Sequence, residues 1–132
     1  MKTVAQLELA DAQRIATAAR AKAVAEGWNV VIAIVDDGGH LMFFESADGT
    51  QKGSCVVAIE KAKTAILFKR PTKALEDVIG AGKLQMLSLP GATLIEGGLP
   101  ILVNGYPVGA IGVSGVQSAQ DGVVAAAGLA AL

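Results

Sequence analysis

Apolar and polar positions along this chain repeat with a period that changes several times. Leu9, Ala12, Ala16, Ala19 and Ala23 recur in steps of three and four, which places them on one face of a helix over roughly residues 6–26. Asp11, Arg14, Arg20 and Lys22 fall on the solvated side, and Gly27 is placed to close the helix. Val30–Val35 is β-branched and almost wholly apolar, the pattern of a strand buried on both faces. Asp36-Asp37-Gly38-Gly39 then marks a turn, and residues 41–45 read as the returning strand of a hairpin.

Helical spacing resumes from Gly53 to Lys69, with Cys55, Ala58, Ile59, Ala62 and Ile66 as the apolar stripe and Glu60, Lys61, Lys63 and Thr64 off its centre. Pro71 ends this helix by disfavouring helical angles at Arg70. Thr72 is placed to cap a short second helix reaching Val78 or Ile79, and Gly80-Ala81-Gly82 breaks it. Residues 83–89 carry no decisive pattern. The last third predicts three strands, 93–96, 99–103 and 107–113, the last two joined through Asn104-Gly105. That pair suits a type I′ hairpin turn, whose central residues both need positive φ. Ser118-Ala119-Gln120-Asp121 resembles a capping box opening a final helix to about Leu132. Gly122 and Gly128 inside it lower helix propensity and suggest close packing, within the chain or against a neighbouring subunit. The expected fold is α/β, with a five-stranded, mostly antiparallel sheet flanked by helices and one domain over residues 1–132.

Composition changes this picture in one respect. With 52% hydrophobic and 17% charged residues, the chain is more apolar than a small soluble domain usually is. No apolar run approaches the roughly 20 residues that span a bilayer. The excess therefore points to a homo-oligomer with apolar interfaces. A net charge of −1 and the lack of a basic stripe exclude nucleic acid as the expected partner. Cys55 alone cannot form an internal disulfide, and the first eight residues lack the apolar core of a signal peptide; the expected location is the cytoplasm.

Candidate chemistry begins with absences. One histidine allows no HExxH motif and no paired His/Cys zinc site, and there is no phosphate-binding glycine loop after a first strand. Gly112-Val113-Ser114-Gly115-Val116 departs from a nucleophile elbow in its second glycine, and no histidine follows it. What remains is a set of glycine-rich strand ends, at Glu96-Gly97-Gly98-Leu99-Pro100 and at Gly109–Gly115. Such glycines either serve tight turns and sheet–helix packing or let a ligand approach bare backbone. Ser114, Gly115 and Val116 lead into the final helix, where free amides favour a carboxylate. His40 is either a turn residue or a metal or haem ligand. Lys61, Lys63 and Arg70 are either solvated flanks or anion contacts. Asp121 is a helix-start residue or a proton carrier.

Val31-Ile32-Ala33-Ile34-Val35-Asp36-Asp37-Gly38-Gly39-His40-Leu41, Lys61-Ala62-Lys63-Thr64-Ala65, Arg70-Pro71-Thr72, Gly97-Gly98-Leu99-Pro100, Val108–Gly115 and Gln120-Asp121 together resemble the GlcG/HbpS family, which includes the C-terminal domain of PduO proteins. The likeness spans nearly the whole chain. It implies a profilin-like fold, homo-oligomers, and a pocket at His40, Lys61, Gly97, Gly98, Pro100, Ser114 and Asp121. It does not imply one activity, since some relatives bind haem and others accompany corrinoid, glycolate or aromatic metabolism. Haem ligation in PduO-type relatives is linked to a histidine in the first helix, where this chain has Gln13 and Arg14, so His40 or a weaker oxygen ligand would have to substitute. Relatives commonly carry an acidic residue after Asp121, where this chain has Gly122.

Three functions follow as expectations. The first is a binding protein for a small ligand, with haem or a related cofactor as candidate, held by His40, Gly97, Gly98, Pro100, Ser114 and Gly115 with His40 on the metal. The second is a small isomerase, tautomerase or hydrolase acting on an organic acid, with Lys61, Ser114 and Asp121 as catalytic groups. The third is an oligomeric scaffold without ligand.

Overall fold

The apolar run after the first helix becomes a central strand whose two faces look at different helices. The computed structural model describes residues 1–132. In chain order the elements are α1 (Leu9–Glu26), β1 (Val31–Asp36), β2 (Leu41–Ser46), α2 (Ser54–Leu67), α3 (Thr72–Gly80), a short 3-10 turn at Leu84–Ser88, β3 (Gly98–Val103), β4 (Tyr106–Ser114) and α4 (Ser118–Leu129). The strands form one sheet in the order β2-β1-β4-β3, antiparallel at every pairing. It has four strands, not the five expected. Residues 93–96 form no ladder: the Thr93 amide donates to Thr64 Oγ1 at 2.8 Å, so side chains of α2 and α3 hold this segment instead of a neighbouring strand.

The pleat sends successive side chains to opposite faces. Ile32, Ile34, Ile101, Ile111 and Val113 point to one side, where they meet Ala12, Ile15, Ala16 and Ala19 of α1 and Val124 and Ala125 of α4. Val31, Ala33, Val35 and Ala110 point to the other, against Ala58, Ala62, Ala65 and Ile66 of α2. Bulky residues fill the first interlayer and small ones the second, so α2 lies close to the sheet. Gly112 and Gly98 sit where a Cβ would overlap the carbonyl oxygens of Ala58 and Lys61.

The helix stripes shift in phase from their expected centres. Leu9 is exposed, and Ile15 takes its place in the core of α1. On α2, Cys55 and Ile59 are only partly buried, whereas Lys61 and Thr64 are fully buried. Gly27 closes α1 at φ +72° as expected, and Asn104 and Gly105 both have positive φ in the β3–β4 turn. Thr72 is the first residue of α3 and not its cap; its hydroxyl instead accepts the Gly98 amide at 2.9 Å. At Gly128 a Cβ would lie 3.0 Å from the Ile15 carbonyl, so this glycine serves the α1–α4 contact inside the chain. No helix is long and apolar enough to cross a membrane.

Candidate functional site

Lys61 leaves α2, on one side of the sheet, and reaches Asp121 in the first turn of α4, on the other. Its Nζ donates to Asp121 Oδ2 at 3.1 Å and to the Val113 carbonyl at 3.0 Å. Both side chains are 2% exposed. Gly97 makes room for the lysine: at φ +132°, a Cβ there would lie 2.8 Å from Lys61 Nζ and 2.6 Å from the Val113 oxygen. Asp121 Oδ1 accepts the Val116 amide at 3.2 Å. The anion expected at the start of the last helix is therefore Asp121's own carboxylate. Burial pushes the Asp121 carboxyl upward, while the Lys61 ammonium and the Val116 amide pull it back; the net direction is up.

The glycine-lined space of the sequence reading is thus filled from within. Gly97 and Gly98 face the Lys61 side chain and carbonyl, and a Cβ at Gly115 would lie 2.5 Å from the Asn29 carbonyl. Ser114 belongs to a neighbouring chain of hydrogen bonds, in which its Oγ donates to Ser54 Oγ at 3.1 Å and Gln51 Nε2 donates to the same oxygen at 3.0 Å. None of Lys61, Gly97, Gly98, Ser114, Gly115 and Asp121 lines a surface cavity of the single chain.

His40 and Pro100 stand apart from this cluster. Val31 pairs with Ser114 at one end of β1 and Asp36 pairs with Gly109 at the other, so the His40 turn is about 17 Å along the sheet from Ser114, by strand rise. The structure brings Lys61, Gly97, Gly98 and Asp121 together, sets Ser114 and Gly115 beside them, and leaves His40 outside. His40 is a turn residue whose ring is 81% exposed. Its Nδ1 meets Asp36 Oδ1 and Oδ2 at 3.1 and 3.2 Å, while Asp36 Oδ1 also accepts the Gly38 and His40 amides at 2.9 Å each. A carboxylate can only accept, so Nδ1 is the donor in this contact, and in the neutral ring that tautomer leaves Nε2 as the open acceptor. Partial burial pushes the Asp36 carboxyl up, but these donors outweigh it and hold the group below the usual carboxylate range. Pro100 lines an open cleft with Arg70 and Pro71.

The sequence reading missed Glu96. A Cβ on Gly122 would lie 2.7 Å from Glu96 Oε2, so the bare position after Asp121 is covered by a carboxylate from the segment before β3. The Glu-Gly-Gly run at 96–98 and the glycine at 122 were visible, but nothing local linked them.

Residues 7–130 match the family described as haem degrading protein HbpS-like. The chain belongs to the HbpS-like family. Among its relatives is the protein GlcG of Escherichia coli, 39% identical over 114 residues, which cover 86% of this chain and 85% of GlcG. A crystal structure of a double mutant of HbpS from Streptomyces reticuli superposes with a TM-score of 0.91 at 32% identity, covering all of this HbpS-like chain and 90% of that one. A PduOC–haem complex superposes with a TM-score of 0.88 at 27% identity, covering 97% of this chain and 96% of that one.

Proposed function

We propose that this protein is a small-ligand-binding member of the HbpS-like family whose ligand is haem or a closely related cofactor, with His40 as the iron ligand. The observation that carries the reading is the Asp36–His40 contact. Metal-bound histidines almost always donate their other ring nitrogen to a carboxylate or carbonyl, which fixes the tautomer and raises ligand basicity. Here that partner is already in place at 3.1 Å, the ring is exposed, and the chain has no other imidazole. The family description names haem, and a similar structure is a haem complex. Bound haem would supply an iron centre able to take a histidine nitrogen and exchange electrons. This chain's part would be to keep the His40 Nδ1–H donating to Asp36 and to present Nε2.

Exposed Leu84, Leu87 and Ile95 support assembly into homo-oligomers. Because no cavity of one chain is lined by His40, a second chain would cover the ligand. We place this assembly in the cytoplasm, as one functional unit over residues 1–132. Catalysis by Lys61, Ser114 and Asp121 on an organic acid has less support, because the two charges neutralise each other out of reach of solvent.

Titration with haemin tests the reading. A Soret band saturating at a fixed haemin-to-chain ratio is expected, lost in His40→Ala and weakened roughly tenfold or more in Asp36→Asn. A band unchanged in His40→Ala overturns the assignment of the ligand residue, and no band at all overturns haem. Native mass spectrometry of the same samples reads the number of chains.

A further inference from the structure

At the C-terminal end of α2 the chain turns through Lys69 and Arg70 into Pro71. The Lys69 amide donates to the Ile66 carbonyl at 3.3 Å and the Arg70 amide to the Ala65 carbonyl at 3.1 Å. This is a Schellman closure, which normally has glycine at the left-handed position. Here Lys69 occupies it at φ +56°, a conformation disfavoured for any residue with a Cβ. Neither cation has a carboxylate partner, as Lys2, Lys52 and Lys83 also have none, but only Lys69 and Arg70 of these five lie side by side at a cleft. Arg70 uses only Nε within the chain, donating to the Phe68 carbonyl at 3.0 Å.

These two unpaired cations line an open cleft of about 420 Å³, within the size range of small-molecule sites. Its other walls come from Pro71, Pro100 and Pro107 and from Leu99, Leu102 and Leu129. Proline rings have fixed φ, so three walls of the cleft are held without help from a ligand. Apolar walls beside two free cations suit a guest that is apolar at one end and anionic at the other.

We propose that this cleft binds a small apolar monocarboxylate, its ring or branched chain against Leu99, Leu102 and the prolines, and its carboxylate on Arg70 and Lys69. The site lies on the β3–β4 hairpin and the end of α2, does not include His40, and does not depend on haem binding. The competing account is that Lys69 and Arg70 only complement the negative end of α2.

Benzoate and its neutral amide, benzamide, separate the two on the untreated protein, followed by amide chemical shifts. Benzoate is expected to shift Lys69, Arg70, Leu99, Leu102, Gly105 and Leu129 in one saturable process, and benzamide to bind at least about tenfold more weakly, as loss of a charge-assisted contact does. Arg70→Gln should weaken benzoate by a similar factor. Leu102→Glu, on an exposed position, should abolish the shifts while leaving the rest of the spectrum in place. Higher salt should weaken benzoate and not benzamide. Equal binding of the two probes, benzoate shifts confined to other residues, or no response to Arg70→Gln overturns the proposal. No shift with benzoate, together with a lower melting temperature in Arg70→Gln, assigns the cations to the helix end alone.

Discussion

Lys61 and Asp121 join the two helical layers through a contact of 3.1 Å between side chains that are each 2% exposed. The pair lies beside the C-terminal end of β4, where Lys61 also donates to the Val113 carbonyl, between α2 and α4, and every polar atom in it has a partner. Its worth lies in the consequence of breaking it. A buried charge stripped of its partner is far costlier than the pair itself is stabilising.

Lys61→Met should therefore destabilise the fold by about 3–5 kcal/mol, measured by urea denaturation. Combining it with Asp121→Leu should recover a large part of that loss. A double variant as unstable as the sum of the single ones would show that the two residues do not act as a unit.

Asp121 also sets an unusual pH dependence. Its folded carboxyl is shifted up, by burial first, so the folded state holds this proton more tightly than the unfolded chain does. The group's contribution to stability is then full below about pH 4, the unfolded value, and is lost as pH rises through the folded one. The stability of the natural protein minus that of Asp121→Asn should fall across this window. A difference that rises instead would mean the Lys61 charge outweighs burial.

Asp36 should behave in the opposite sense. Burial raises its carboxyl, but the two turn amides and the His40 ring together outweigh it and hold it low. Its contribution is present above about pH 4 and disappears as pH falls through the lower folded value. Asp36→Asn should be less stable than the natural protein at neutral pH and match it in strong acid, as read by thermal melts across that range.

Gly98→Ala and Gly112→Ala test why α2 lies close to the sheet. Each new methyl would strike α2 backbone, which cannot rotate away as a side chain can, so a loss of at least about 1–3 kcal/mol is expected. Gly80→Ala, at the last residue of α3 with nothing within 4 Å of the new methyl, should be neutral or stabilising by up to about 1 kcal/mol. Similar losses at all three would point to backbone freedom instead of space.

Lys69→Gly should raise stability by about 1 kcal/mol, because glycine relieves the left-handed strain of the α2 closure. If the strain is kept for binding, the same variant should also bind benzoate more weakly. A more stable variant with unchanged benzoate affinity would remove Lys69 from the site.

Local order was legible in the residues themselves. The period of the apolar pattern placed four helices and four strands, Gly27 and Asn104-Gly105 marked two chain reversals, and the motif run carried the family. These are properties of neighbours in the chain, and a period of 3.6 or 2 residues states which face is apolar without reference to anything else. What covers that face is decided across the fold. Lys61, readable from the sequence as either a solvated flank or an anion contact, is buried because α2 presses its own backbone onto Gly98 and Gly112 and turns the lysine stem toward Gly97. Glu96 reaches Gly122 across 26 residues of chain, and the strand expected at 93–96 yields to a hydrogen bond that the Thr93 amide donates to Thr64 Oγ1. A bare glycine reads the same whether a ligand or a helix fills the space above it. Only the packed structure shows that α2 and the Lys61 side chain occupy it here, because excluded volume is a property of the partner and not of the glycine.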